Sequence, residues 1–369
     1  MRLKNDRHVI KEDAFLSWLK NNHSEENSYL FILGVGFDNR MCEGINRFEK
    51  TGIPFDVWEI IYNEGDSSPS KEYEDQVDAN KTRLEIILKS PCVKSCKQKH
   101  INLWRDDKSG VHRENNTRFV GEINASKMIK SSKEELQKYS DIIVDVSALP
   151  QTLYLSLLNT LFKCSNSNQR INIIVNENYT TDMCIEPVQA EETAHEVQGF
   201  SSPSEDLDNV VIWYPILGEI NSSFLDKFSS FLKTNSQEID EICPVVPFPS
   251  VNIRRADSIL AHYSKMLFSD WGIDKKNIIY ASETNPILVC ESLFEASVSY
   301  KTALVPLGEC KFVFSAITSK LMTIGMLLVA YDLKSEGNNV SILGISNKGY
   351  QIKGSNDSNT ENQLICIAV

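Results

Sequence analysis

The stretch Tyr29-Leu-Phe-Ile-Leu-Gly-Val-Gly-Phe-Asp-Asn-Arg40 is an apolar run that breaks into two glycines and then into charged residues. A continuous apolar run is typical of a strand that is buried on both faces of a parallel sheet. Gly34 and Gly36 permit a sharp turn and a close approach of the backbone to a ligand at the start of the next helix. The stretch therefore predicts the first βα unit of an α/β domain and the edge of a binding site at its turn.

Alternating strand-like and helix-like segments continue this pattern along the chain. In the first half the pattern predicts strands at 29–34, 55–61, 100–104, 141–146 and 171–175. In the second half it predicts strands at 210–215, 242–246, 277–281, 302–306 and 311–315, and a final hairpin of 339–345 with 350–353. This alternation indicates an α/β fold of two Rossmann-like lobes, with mainly parallel sheets flanked by helices.

An acidic segment, residues 181–208, separates the two series. It contains eight acidic residues and no lysine or arginine, together with proline, glycine and serine. Such a composition is poorly suited to a core and indicates a loop or linker. We therefore expect an N-terminal Rossmann-like domain over 1–180 and a C-terminal one over 209–369. The acidic segment is either a surface excursion without function or a lid that contacts a regulator or partner.

Length, charge and cysteine content limit the class of protein. A chain of 369 residues is longer than one ordinary core requires, and its formal charge of -12 opposes a broad nucleic-acid interface. We find no apolar run near the roughly 18 residues that a membrane helix needs, and no apolar region follows the basic residues 1–8. The nine cysteines are scattered rather than densely spaced. We expect a soluble, cytoplasmic protein with reduced thiols and no membrane contact.

Ligands of open α/β sheets bind beyond the carboxyl ends of the strands, and this rule selects candidate residues. In the first lobe the expected cofactor-binding residues are Gly34, Gly36, Asp38, Arg40, Glu59, Asp145 and Ser147. Asp38 is also expected to cap the helix that begins there. Arg40 lies in the first turn of that helix, where a cation opposes the helix dipole. An anionic ligand, a pairing with Glu43 or exposure to solvent would each remove this conflict.

Asp145 and Ser147 alternate with apolar residues at the end of a strand, so they lie on one face near its carboxyl edge. A carboxylate beside a hydroxyl can orient a ribose or a water molecule. The alternative is that the two residues cap the helix that begins near Pro150.

Leu33-Gly34-Val35-Gly36-Phe37-Asp38 resembles the Leu-Gly-x-Gly-x-Asp loop of some class I S-adenosylmethionine-dependent methyltransferases. The resemblance implies backbone contacts from Gly34 and Gly36, with Glu59 on the ribose hydroxyls at the end of the next strand. The acidic-Pro-Pro-aromatic loop of amino-methylating relatives is missing, and Asp145-Val-Ser-Ala-Leu-Pro150 stands in its place. The expected cofactor is S-adenosylmethionine or another nucleotide, and the alternative is a glycine turn that serves helix packing alone.

The second lobe contains a local basic set in an acidic chain. Its expected anion-binding residues are Arg254, Arg255, Glu283, Asn285 and Lys320. Prolines around Phe248 stiffen a loop whose adjacent arginines offer bidentate donors for phosphate or carboxylate. The alternative for these arginines is a salt bridge to the first lobe or to Glu283.

Other catalytic and metal motifs are weak. Cys92, Cys96 and His100 are spaced by four, but no paired metal motif completes them, so we expect no metal site. Neither a Gly-x-Ser-x-Gly elbow nor a Walker loop is present. Two hypotheses follow. The protein binds a nucleotide-like or other anionic small molecule at strand carboxyl ends, with a transferase as one fitting enzyme class. Alternatively, it is a non-catalytic component of a bacterial assembly, for example in stress or antiviral defence, with a protein partner.

Overall fold

A computed structural model describes residues 7–24, 26–66, 68–106, 117–188, 191, 193–201, 209–219, 223–234, 239–353 and 362–369. The first half contains, in order, β1 (His8–Lys11), α1 (Glu12–Asn22), β2 (Tyr29–Val35), α2 (Glu43–Glu49), β3 (Phe55–Asn63), α3 (Glu74–Leu88), β4 (Val93–Asn102), β5 (Trp104–Asp106), β6 (Thr117–Phe119), α4 (Gly121–Ser131), α5 (Lys133–Leu136), β7 (Asp141–Asp145), α6 (Gln151–Cys164), β8 (Arg170–Glu177), α7 (Tyr179–Cys184) and β9 (Ile185–Val188).

The second half contains β10 (His195–Glu196), β11 (Val210–Ile216), α8 (Ser223–Thr234), β12 (Glu241–Ile242), β13 (Val245–Pro247), α9 (Arg255–His262), β14 (Ile279–Ala281), α10 (Pro286–Leu304), β15 (Cys310–Ala316), α11 (Lys320–Ser335), β16 (Asn339–Gly344), β17 (Gly349–Ile352) and β18 (Gln363–Ala368). Short 3₁₀ helices lie at Asn39–Cys42, Pro69–Tyr73, Lys275–Asn277 and Val305–Leu307, and a π-helical turn lies at Lys265–Asp270. Within the described parts of the chain, none of the helices is both long and apolar enough to cross a membrane.

The described residues form two compact units. The N unit consists of those between Lys4 and Ala190 together with those between Ser346 and Val369, and the C unit lies between Glu191 and Ile345. The expected domain 209–369 therefore needs correction at its end. Its last strand, β18, pairs antiparallel with β8 in the N unit. An apolar strand needs an unpaired sheet edge, and the sequence of β18 does not specify which of the two sheets supplies it.

The sheet of the N unit, called the N sheet, has the order β1-β18-β8-β7-β2-β3-β4. Five neighbouring strands of this sheet run parallel, in the spatial order β4, β3, β2, β7 and β8. Counted along the chain, they have the Rossmann order 3-2-1-4-5. The order reverses between β2 and β7, and ligands of this fold bind in the crevice at such a reversal. Helices α1 to α3 cover one face, where Phe31, Phe48 and Phe55 form part of the apolar core.

The sheet of the C unit, called the C sheet, has the order β10-β16-β15-β11-β13-β14, and β12 also pairs with β11. Five neighbouring strands of this sheet, in the spatial order β14, β13, β11, β15 and β16, are again parallel. Counted along the chain, they again follow the order 3-2-1-4-5, with the reversal between β11 and β15. In both units one antiparallel strand, β18 or β10, extends the sheet beyond the fifth parallel strand. The predicted α/β fold of two Rossmann-like lobes is confirmed.

Several local expectations differ from the structure. The strand expected at 100–104 begins earlier, because β4 runs from Val93 to Asn102. Residues 302–306 form the end of α10 and a 3₁₀ turn instead of a strand. The expected hairpin does not form, because β16 lies in the C sheet whereas β17 pairs with β9 in the N unit. The acidic segment contains the end of α7 as well as β9 and β10. Its residues 189–190, 192 and 202–208 lie outside the described residues.

The placement of β18 inside the N sheet predicts unequal effects of the same substitution along that strand. Cys366 is fully buried, whereas Gln363 is exposed. Because a buried carboxylate loses its hydration, Cys366→Asp should lower the free energy of unfolding by roughly 3 kcal/mol or more, and Gln363→Asp by at most about 1 kcal/mol. Denaturant unfolding followed by hydrogen exchange of N-sheet peptides measures both. Equal effects at the two positions would contradict this placement.

Candidate functional site

The carboxyl edge of the C sheet collects four loops. They follow β11 (217–219), β13 (248–254), β14 (282–285) and β15 (317–319), and they converge because all four strands are parallel. In Rossmann-type sheets this edge binds ligands, since helix N-termini and loop amides converge on it. We call this region the C edge, and most of the predicted anion-binding residues lie on it.

Arg255 connects three of these loops. Its Nε and Nη2 donate to the two carboxylate oxygens of Glu219, each over 2.7 Å, and its Nη1 donates to Glu283. The other oxygen of Glu283 accepts a hydrogen bond from the backbone N–H of Val251, at 3.0 Å. A bidentate pair fixes both distance and orientation. For Arg255 the structure thus shows the salt bridge to Glu283 that was one alternative to anion binding. Sequence reasoning missed Glu219, although it lies three residues after the end of the buried strand β11.

Gly218 allows the loops after β11 and β15 to touch. A Cβ atom at this position would lie 2.4 Å from the carbonyl oxygen of Ile317, a distance that no side chain could tolerate without backbone movement. The contact brings the start of α11 to the C edge. Ser319 caps this helix, because its Oγ accepts a hydrogen bond from the N–H of Met322 at 3.4 Å. The half-buried Lys320 is the first residue of the helix.

The cations of the C edge differ in their pairing. The Arg255 side chain lies between two carboxylates and is 6% exposed, so its charge serves to join loops. Arg254 is exposed, and its backbone N–H donates to the side chain of Asn252. Among the residues that the structure describes, no carboxylate lies within 4.0 Å of the side-chain nitrogens of Arg254 or Lys320.

Asn285 has a structural role at the same edge. Its side-chain oxygen accepts hydrogen bonds from the backbone N–H groups of Ile287 and Leu288, at 3.0 and 3.3 Å. It therefore caps the first turn of α10, where backbone donors have no partner within the helix. This leaves Arg254 and Lys320 as the described side chains best suited to a ligand.

The glycine loop of the N unit is filled by neighbouring side chains. A Cβ atom at Gly34 would lie 2.4 Å from Leu149 Cδ2, and one at Gly36 would lie 2.5 Å from the Tyr62 hydroxyl. That hydroxyl donates to the carbonyl oxygen of Ala148, at 2.9 Å. Both glycines thus accommodate side chains that close the crevice between β2 and β7. This geometry supports the packing alternative for the loop.

Arg40 has carboxylate partners inside the N unit and is 1% exposed. Its Nε and Nη2 contact Asp38, with the shortest distance 2.6 Å, and Nη2 also lies 2.8 Å from Asp182. Asp38 additionally accepts from the Arg40 N–H and caps the short helix, as expected. Burial by itself lowers the pKa of Arg40, but the two carboxylates outweigh burial and raise this pKa above its ordinary value. The conflict with the helix dipole is therefore resolved by Asp38 and Asp182, and not by Glu43.

Asp145 and Ser147 join the ends of β7 and β8. Asp145 accepts from the N–H of Ser147 at 2.9 Å, and the Ser147 hydroxyl oxygen accepts from both the backbone and side-chain N–H groups of Asn176, at 2.9 and 3.0 Å. Each of the three residues is 1% exposed. The pair is therefore enclosed, and the hydroxyl of Ser147 connects it to β8.

The position of Glu59 requires a correction. β3 continues to Asn63, so Glu59 lies within the strand and accepts from Cys96 Sγ and Gln98 Nε2, at 3.2 and 3.0 Å. The strand runs past the expected end at 61 through Tyr62 to Asn63, which pairs with Asn102 of β4. The carboxylate that follows β3 is Glu64, whereas the expected ribose contact was assigned to Glu59. Burial raises the pKa of Glu64, although hydrogen bonds from Ser70 and Ser68 lower this pKa in part.

Comparisons with known proteins give no family assignment. No protein-family model matches the chain, and no curated protein matches it. Solved structures with some likeness include the cytoplasmic domain of a prokaryotic cation chloride cotransporter, with 11% identity, a TM-score of 0.24, and coverage of 87% of this chain and 96% of that one.

Two further likenesses are similarly weak. A putative universal stress protein from Pseudomonas aeruginosa has 9% identity and a TM-score of 0.23, with 86% of this chain and 93% of that one covered. A Haemonchus contortus phosphoethanolamine N-methyltransferase, solved with S-adenosylhomocysteine, has 8% identity and a TM-score of 0.20, with 96% of this chain and 51% of that one covered. At these scores no ligand or reaction carries over to this chain.

The contact between Gly36 and Tyr62 predicts that a substitution at Tyr62 restores stability lost by a substitution at Gly36. Gly36→Ala should destabilise the N unit by about 1 to 3 kcal/mol, because the new methyl group overlaps the Tyr62 hydroxyl. Adding Tyr62→Phe removes that hydroxyl. The double variant should therefore lose less free energy of unfolding than the sum of the losses in the two single variants. A double-mutant cycle in denaturant unfolding measures this coupling. Additive effects would show that the methyl group is accommodated in another way.

Proposed function

We propose that the protein binds an anionic small molecule of the nucleotide class at the C edge. The observation that carries this proposal is that one cation of the C edge is paired with carboxylates and two are not. Arg255 is paired with both Glu219 and Glu283 and fixes the loops, whereas Arg254 and Lys320 have no carboxylate partner among the described residues. Two such cations at the ligand-binding edge of a Rossmann-type sheet are suited to a phosphate group.

Each residue then has a distinct role. Lys320 begins α11, a helix of 16 residues, and adds its point charge to the free N–H groups and positive dipole end of that helix. Arg254 offers the planar pair of donors that binds two oxygens of one phosphate. Arg255, Glu219 and Glu283 are positioning residues, since they hold the loop that carries Arg254.

The proposal includes a reaction class and a location. A transferase is the class that such a ligand would serve, with the phosphate-bearing molecule as donor; S-adenosylmethionine is a further donor to be tested. The cytoplasm is the proposed location, because soluble nucleotides are available there. These assignments rest on the chemistry of the C edge alone.

Binding of phosphate-bearing ligands provides the test. Inorganic phosphate, adenine and guanine nucleotides and S-adenosylmethionine are screened by thermal shift, and the strongest ligand is then measured by calorimetry. Arg254→Ala and Lys320→Ala should each weaken binding about tenfold, the effect of losing one charge-assisted hydrogen bond. Lys276→Ala, before β14 at the opposite end of the strands, is the matched control. A panel without any binder, or unchanged affinity in both variants, would exclude the proposal.

A second candidate function rests on a separate observation at the loop between β13 and α9. Phe248, Val251 and Ile253 are 49, 83 and 77% exposed. Exposed apolar side chains that occur together are typical of protein-interaction surfaces. A non-catalytic component of a larger assembly would use this loop to contact a protein partner. Bacterial stress or antiviral defence is the setting that we propose for such an assembly.

Purification of the tagged protein from its native host tests this second function. A stoichiometric partner should accompany the wild type and Ile86→Ser, a control whose side chain is 67% exposed in the N unit. The double variant Val251→Ser/Ile253→Ser should lose the partner, because the apolar contact area is removed. A protein that purifies alone, or a partner that the double variant retains, would argue against this function.

A further inference from the structure

Two distant segments of the chain pair with each other inside the N unit. β9 and β17 form an antiparallel ribbon in which Tyr350 is opposite Pro187 and Ile352 is opposite Ile185. The two strands are separated by the whole C unit along the chain. We call this two-stranded element the ribbon.

The first attachment of the ribbon is an ion pair. α7 leads directly into β9 and carries Asp182, whose Oδ1 lies 2.8 Å from Arg40 Nη2. The side chain of Arg40 is 2% exposed, whereas that of Asp182 is 35% exposed. Asp38 already holds the same guanidinium group from within the glycine loop. Asp182 is therefore the outer and solvent-facing carboxylate of the pair.

The second attachment joins β17 to the segment that follows β3. The backbone N–H of Tyr350 donates to Ser70 Oγ at 2.9 Å, and that of Ile352 donates to the Tyr73 hydroxyl at 2.8 Å. The ring of Phe37, in the glycine loop, lies 5.1 Å from Tyr73 and 6.4 Å from Tyr350 between ring centroids. The loop that follows β2 therefore contacts Tyr350 of the ribbon through Phe37, and Asp182 of the adjoining α7 through Arg40.

We propose that the ribbon is a displaceable strap, and that Asp182 occupies on Arg40 the position of a phosphate group. A phosphate-bearing ligand of the N unit binds Arg40 by replacing Asp182, and the ribbon is released as it does so. Asp38 stays on Arg40 in both states, so the exchange never leaves the buried charge unpaired, a condition that would be strongly destabilising. Asp182 passes into water, where a carboxylate is well solvated. This site is separate from the C edge and does not depend on it.

Linkage makes the proposal quantitative. Suppose that a ligand binds only when the ribbon is released. Any variant that raises the equilibrium constant for release of the ribbon must then raise the affinity for the ligand by the same factor. Asp182→Asn keeps the shape of the side chain and removes its charge. Tyr73→Phe removes only the hydroxyl that accepts from Ile352, and it does not touch Arg40. Two substitutions at different attachments should therefore have the same consequence.

The experiment measures hydrogen exchange and phosphate binding together. All variants are made in an Arg254→Ala/Lys320→Ala background, so that both cations proposed to bind phosphate at the C edge are absent. Asp182→Asn should speed the exchange of 185–188 and 349–352 about tenfold and tighten the binding of inorganic phosphate by a similar factor. Tyr73→Phe should change both quantities in the same direction. Asp78→Asn, which removes a surface pair with Lys81, is the control and should change neither.

The opposite results are equally informative. If ribbon exchange in Asp182→Asn equals that of the parent protein, the strap is a fixed part of the fold and the proposal is wrong. If the ribbon loosens in either variant and phosphate affinity does not rise, Asp182 is not a substitute for a ligand, and the proposal is also wrong. Neither result bears on the C edge, which is tested in the protein that retains Arg254.

Discussion

Among the described residues, each unit contains one buried guanidinium group that lies between two carboxylates. Arg40 lies between Asp38 and Asp182, and Arg255 lies between Glu219 and Glu283. A buried cation without partners would be strongly destabilising, so each guanidinium group must keep at least one carboxylate beside it. In both units the arginine therefore determines how the loops at the carboxyl edge are arranged, and the rest of each candidate site depends on that arrangement.

The buried arginine has a different consequence at the carboxyl edge of each sheet. In the N unit the chain itself covers the edge, because Asp182 completes the pairing of Arg40 and the ribbon contacts the ring of Phe37. In the C unit the arginine pairing is complete without using Arg254 or Lys320, and the described residues offer these two no carboxylate. The same strand order thus supports a closed edge in one unit and an accessible cationic edge in the other.

Much of the candidate site followed from residue type and position near a strand end. The capping role of Asp38 is local, and the sequence indicated it. The pairing of Arg255 with Glu283, 28 residues away, was one of the alternatives left open by the sequence, and it forms because the two residues follow the neighbouring strands β13 and β14. The carboxylate after β3 was misplaced at Glu59, because a polar residue inside a strand and one at its end look alike in sequence. The strand end is fixed by its pairing with β4, which runs in register as far as Asn63.

The sequence by itself determined the α/β class, the alternation of strands and helices, and the burial of β2, because hydrophobic periodicity and glycine position act over a few residues. Only the tertiary structure decided which sheet β18 joins and that β17 pairs with β9. It also decided that Asp182 meets Arg40. Such contacts join segments far apart in the chain, and local composition does not specify them. The partner of a strand edge or of a buried charge is selected by the packing of the whole unit.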